Sequence, residues 1–171
     1  VLVPIDDWWN ENAEAMQVDD FIPVFSQTFT VVDGVRYGLP YDGDLHLLFY
    51  NTTLFDKYNL EPPATWDEYL TACKTITEGE GGNAYGCGIM GAKIPLILIG
   101  TFLNRLGGFG GAFFDEEGNP TINSPEAVAA LEALVAQSPY ALPEPAAVAF
   151  DELLGGWLTG KVAMAEFWTD L

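Results

Sequence analysis

Positive charge is scarce: 6 lysines and arginines stand against 25 aspartates and glutamates, for a formal net charge of −19. That balance excludes nucleic acid as a partner, because the chain cannot neutralise a run of phosphates, and it excludes an anionic membrane surface for the same reason. What the acidic excess supplies is solubility, of most use in a salty medium that screens self-repulsion. Histidine occurs once, at His46, and there is no CxxC spacing, so neither a metal nor a cofactor is expected. The two cysteines, Cys73 and Cys87, stand on either side of a glycine-rich turn. A disulfide in an exported chain and a pair of buried thiols both fit, and the residues leave the choice open.

No apolar run is long enough to span a membrane; the longest, Ile94 to Leu103, reads as a buried helix. An initiator methionine and a basic leader are missing, and the end has no polar tail. The chain is therefore expected to be a fragment of a longer, processed one. Its 171 residues point to one domain or one and a fraction, and 49% hydrophobic and 13% aromatic residues suffice for a sizeable core.

Along the chain, a short helix is expected over Trp8–Met16, with Trp8 and Trp9 read either as anchors for a protein partner or as half-buried packing. Two β-rich runs flank Asp33-Gly34, the pair preferred in a tight hairpin turn. Leu45–Tyr50 is apolar throughout except for His46 and reads as a strand covered on both faces, with His46 a core histidine. Asn51 or Thr52 caps the helix that follows, a role that outweighs the sequon Asn51-Thr52-Thr53. Thr65 and Glu68 form a capping box. The helix it opens is expected to reach Thr77 and to bury Trp66, Tyr69, Leu70, Cys73 and Ile76.

Further on, a glycine-rich loop leads into a short strand, then a helix over Pro95–Leu106. The stretch FFDEEGNPTI reads as a hairpin whose acids Asp115, Glu116 and Glu117 form a solvated tip rather than a cation site. Ser124 caps a helix with a buried stripe of Val128, Leu131, Leu134 and Val135. A proline-rich linker precedes a helix over Val148–Thr159, Gly160 supplies its left-handed cap, and a strand runs over Lys161–Ala165. Helices and strands alternate, so the class is α/β.

Four blocks, taken in order, resemble the sugar-type extracellular solute-binding proteins of ABC importers, the family that includes maltose-binding protein. They are DGVRYGLPYDGDLHLLFYNTTLFDKYNLEPPATWDEY, LGGFGGAFFDEEGNPTINSPEAVAALEAL, WLTGKVAM (with Trp157 where the family usually has Phe) and the aromatic Trp168. The resemblance spans Val31 to Trp168. It implies a fold of the type II periplasmic-binding-protein kind, represented mainly by its C-terminal lobe with a remnant of the N-terminal lobe and the hinge crossovers. Residues 1–44 would be the remnant and first crossover, 45–164 the C-terminal lobe, and 165–171 a truncated return crossover. It also explains YGLPYDGDLHLLFYN: the polar, aromatic front half would lie at a ligand cleft and the apolar rear half would enter a sheet.

The function implied is non-catalytic binding of a neutral sugar, oligosaccharide or polyol in an interlobe cleft, for delivery to an ABC transporter membrane permease. The parent would be a monomer in the periplasm or anchored outside the membrane. A sugar needs carboxylates for its hydroxyls and aromatic faces for its ring. Asp44, at the position of a ligand-contacting glutamate of the family, and Trp168 are the leading ligand-binding residues, followed by Tyr41 and Asp42. The plain alternatives are turn residues for Asp44, Tyr41 and Asp42 and a core tryptophan for Trp168. Arg36, Lys93, Arg105 and Lys161 are the candidate counter-charges for an anionic ligand. One competing function is a glycoside hydrolase with Asp44 and Glu166 as paired carboxylates. Another is a non-binding fragment, and a third a protein-interaction domain anchored by Trp8 and Trp9.

Overall fold

Turn chemistry and helix caps set most element boundaries in the computed structural model, which describes residues 2–169. Two compact units divide the chain, Val1–Leu45 and His46–Leu171.

In the first unit, Asp33 and Gly34 both take positive φ (52° and 78°), the backbone of a primed turn. They join β1 (Val31–Val32) to β2 (Val35–Arg36) in an antiparallel pair with Val31 opposite Arg36. Helix α1 (Asp6–Met16) begins two residues before the expected Trp8, because Asp6 and Asp7 favour the positive end of the helix dipole. Asp6 also accepts the Arg36 backbone N–H at 3.2 Å. Helix α2 (Pro23–Thr28) follows, with its proline at the first position. Arg36 is the only basic residue of this unit. Its guanidinium stacks 3.7 Å from the Trp9 ring centre and donates to the Ser26 carbonyl and Thr30 Oγ1, each at 2.7 Å. Trp9 also packs on Phe21, so it is a packing residue, while Trp8 is 46% exposed.

The second unit is built on β3 (His46–Tyr50) and β4 (Met164–Trp168), antiparallel with His46 opposite Trp168 and Leu48 opposite Glu166. β4 starts three residues later than the expected Lys161, since Val162 is taken up in a parallel bridge with Tyr85. Along the far side of β4 runs the segment 85–88, with Ala163 donating to the Tyr85 carbonyl and Gly88 to that of Met164, both at 2.9 Å. β3 is not covered on both faces: Leu47 is about half exposed and Tyr50 lies at the surface. The reason is its place at the sheet edge, with only β4 beside it among the described residues.

Asn51 caps α3 (Thr52–Lys57) by accepting from Leu54 N, and the Thr65–Glu68 capping box opens α4 (Trp66–Glu80), three residues longer than expected. Tyr69, Cys73 and Ile76 are buried on α4 as read from the sequence, while Trp66 and Leu70 are only partly covered. Helix α5 (Pro95–Gly108) corrects the reading of a buried helix: it buries Ile97, Thr101, Arg105 and Leu106, but Leu96, Ile99 and Leu103 are exposed. Helix α6 (Pro125–Gln137) keeps its Ser124 cap, but of the expected stripe only Leu134 packs against the core. Ala127, Ala130 and Gln137 are buried, whereas Val128, Leu131 and Val135 point to solvent. Small alanines let α6 approach α5 closely, and Gln137 satisfies a buried charge there, so the larger residues are turned away.

The hairpin expected over FFDEEGNPTI shrinks to one bridge, Phe114 to Pro120, around an exposed turn. Hydrogen bonds from Asn119 to Asp115 close that turn and hold the Asp115 carboxyl below its ordinary range. Helix α7 (Phe150–Leu158) is shorter at both ends than expected, and Gly160 takes the left-handed φ of 69°. Of the return crossover expected over 165–171, residues 165–168 fall on β4 and Thr169 on a turn, while Asp170 and Leu171 lie outside the described residues. No helix among the described residues is long and apolar enough to cross a membrane.

Three clusters form the core. Phe55, Tyr69, Cys73 and Ile76 meet Cys87, Ile89 and Met164; Leu153 of α7 meets Met90, Val162, Ala165 and Phe167; and Leu106 meets Ala127 and Ala130 between α5 and α6.

Candidate functional site: a cleft beside the sheet of the second unit

Alternation along β3 and β4 puts His46, Leu48, Glu166 and Trp168 on one face and Phe49 and Phe167 on the other. Phe167 is fully buried against Phe49 and Phe150. On the first face, α5 presents two neighbouring side chains. Arg105 grips Glu166 bidentately, at 2.8 and 2.9 Å, and also donates to Gln137 Oε1 and to the Thr101 carbonyl. Asn104 donates from Nδ2 to Glu166 Oε2 and to His46 Nδ1, each at 2.7 Å. Burial works against the charge on Arg105, but the adjacent Glu166 carboxylate more than compensates and holds the guanidinium above its ordinary value.

A cleft of about 490 Å³ opens over this network, lined in part by His46, Leu48, Trp66, Tyr69, Asn104 and Glu166. Trp66 forms an aromatic wall, with the Arg105 guanidinium 4.4 Å from its ring centre. Gly108 allows that placement, because a Cβ there would come within 2.3 Å of Trp66 Nε1. Two buried polar atoms of the lining, His46 Nε2 and Tyr69 Oη, have no hydrogen-bonding partner among the described residues. With His46 Nδ1 accepting from Asn104, Nε2 carries the proton and is a donor. Burial, followed by the nearby Cys87 and Glu166, pushes the Tyr69 hydroxyl well above its ordinary range, so it too stays protonated. Both donors thus lie beneath the cleft surface, near the Trp66 ring, and the buried Arg105 behind them is already paired.

Trp168 sits on this face, half-buried, with its ring centre 4.3 Å from that of His46. Tyr41, Asp42 and Asp44 belong to the first unit. Tyr41 is 99% exposed, Asp42 accepts from the Gly43 N–H at 2.7 Å, and Asp44 is half-buried and engaged in an interaction. Sequence reasoning took His46, Trp66 and Tyr69 for packing, named Arg105 only as a counter-charge for an anionic ligand, and did not select Asn104. Arg105 did carry a signal, as a lone charge in an apolar helix; so did Glu166, a lone acid in the apolar strand MAEFW. Two such charges bury only by pairing.

The family model of the bacterial extracellular solute-binding proteins matches residues 1–170. The chain belongs to that family. A probable ABC transporter-binding protein of Deinococcus radiodurans is 31% identical over 93% of this chain, and a mannitol-binding protein of Pseudomonas aeruginosa is 28% identical over 90%. Among solved structures, the ribitol complex of an ABC transporter solute-binding protein from Agrobacterium radiobacter superposes with a TM-score of 0.89 at 26% identity, over 98% of this chain. The maltose-bound MalE3 of T. maritima gives 0.84 at 29% identity, again over 98%. The chain spans about two-fifths of these proteins: 39% and 35% of the two relatives and 42% of each of the two structures. Its α/β fold is part of the type II periplasmic-binding-protein architecture, as the four sequence blocks implied.

Proposed function

We propose that this solute-binding protein takes a neutral sugar, oligosaccharide or polyol and, as part of a longer parent, delivers it unaltered to an ABC transporter permease. The observation that carries the reading is the commitment of Arg105 to Glu166 and Gln137. The described lining of the cleft holds no arginine or lysine, which disfavours an anion, and the Asn104 amide and Trp66 ring that line it suit hydroxyls and a sugar face. Ribitol and maltose in the similar structures agree with that chemistry. The parent is placed in the periplasm or on the outer face of the membrane and acts as a monomer. Trp168, with Asp44, Tyr41 and Asp42 of the first unit, is proposed to contact the ligand.

A hydrolase reading is disfavoured because both Glu166 oxygens accept hydrogen bonds from Arg105, leaving that carboxylate no free role as acid or nucleophile. Titrating ribitol, mannitol and maltose against tryptophan fluorescence tests the proposal, with recovery of the sugar analysed afterwards. A saturable change is expected, with the sugar intact. Replacing Asn104, Trp168 or Asp44 by alanine should weaken binding roughly tenfold, the loss of one good polar or stacking contact. Cleaved sugar, or no saturable response in either this chain or the longer parent, would overturn it.

A further inference from the structure

Cys73 and Cys87 are both fully buried, both free, and members of the same core cluster. Their meeting is built into the backbone. Cys73 lies on the inner face of α4, and Cys87 on the segment that runs beside β4. That segment passes directly over Cys73: a Cβ on Gly86 would come within 2.1 Å of the Cys73 carbonyl oxygen, so only glycine permits the approach. Thr77, one turn further along α4, accepts the Gly86 N–H at 2.7 Å and donates to the Tyr140 carbonyl at 2.9 Å, pinning the segment in place. On its other side the Leu142 N–H bonds to the Cys87 carbonyl.

We infer that Cys73 and Cys87 are a disulfide site, closed by oxidation when the protein folds outside the cytoplasm. The inference rests on the extracellular character of the family and on this geometry, and is independent of the ligand. The step is a double thiol–disulfide exchange with an external disulfide, either glutathione disulfide or a dithiol oxidase. One cysteine sulfur attacks it and displaces a thiol; the second then attacks the mixed disulfide and displaces the other. Two protons and two electrons leave the cysteine pair, and the oxidant ends as two thiols. Burial pushes the Cys73 thiol well above its ordinary range, so the reactive thiolate is scarce in the finished fold. Closure therefore belongs to the folding reaction, before α4 and the 85–88 segment seal the pair.

The test is to refold the 171-residue chain in glutathione buffers of graded ratio, and to count thiols by alkylation and mass after denaturing quench. The expected product has lost 2 Da and takes up no alkylating agent. The effective concentration of the pair should be roughly a hundredfold higher in native buffer than in denaturant, and the melting temperature of the oxidised form roughly 5–10 °C above the reduced. Oxidation of prefolded, reduced protein should be at least about tenfold slower than oxidation during refolding. An effective concentration no greater in native buffer than in denaturant overturns the inference, as does a product carrying glutathione or linking two chains.

Discussion

Arg105 and Glu166 show how one pair of charges organises a neighbourhood. Arg105 is fully buried, and the Glu166 side chain is 10% exposed, so removing either would leave the other a buried charge without its counter-ion. Asn104 joins the same carboxylate to His46, which carries the network to the strand end where Trp168 lies. Arg105→Met should lower stability by about 3 kcal/mol, because it leaves a mostly buried carboxylate without its partner. Urea unfolding checks this, and the double variant Arg105→Met, Glu166→Leu should recover part of the loss. If the double variant is no more stable than the single, the coupling is absent.

Between elements, α4 is held at both ends by polar contacts and in the middle by close packing. At its start, Thr65→Ala should cost about 1 kcal/mol, since Thr65 Oγ1 accepts the Glu68 N–H. In its middle, Gly86→Ala forces a methyl into the Cys73 backbone and should cost about 3 kcal/mol, the upper range for overpacking, as read from denaturant midpoints. At its end, Lys57 of α3 and Tyr58 both donate to Glu80, and these bonds lower the Glu80 carboxyl below its ordinary value. A lowered carboxylate stabilises the fold above the unfolded value, about pH 4.3, and that support is lost as the pH falls through the folded value. Lys57, raised first by its bond to Glu80, gives support that is present below its unfolded value of about 10.4 and fades as the pH rises past it. The gap in urea midpoint between the protein and Glu80→Gln should thus be present at pH 7 and close towards pH 3.

For the molecule as a whole, charge and surface apolarity act together. A net charge of −19 should make stability salt-dependent, with the melting temperature rising between low ionic strength and about 0.5 M as repulsion is screened. A melting temperature unchanged across that range would mean that the repulsion is no larger in the folded than in the unfolded chain. The exposed Leu96, Ile99 and Leu103 of α5 and Val128, Leu131 and Val135 of α6 form apolar surface of the sort that binds a fluorescent apolar dye. Polar replacement of the three α5 residues should reduce dye binding without changing the helical circular dichroism.

Local chemistry was legible in the sequence wherever it is decided within a few residues. The Asp33-Gly34 turn, the Asn51, Thr65 and Ser124 caps and the left-handed Gly160 all depend on a side chain or φ preference acting on its own neighbourhood. The family, too, was readable from the order of its blocks. Only the tertiary structure decided which face of α6 turns inward, because apolar periodicity measures hydrophobicity and not fit, and Ala127 and Ala130 fit against α5 where larger residues do not. The same holds for the cleft. Asn104 and Arg105 meet Glu166, and His46 meets Asn104, across some sixty residues of sequence, through strand register and helix placement that no local pattern encodes. The lone charges of Arg105 and Glu166 announced that each needed a partner; the packing of α5 on the sheet determined that they are partners of each other.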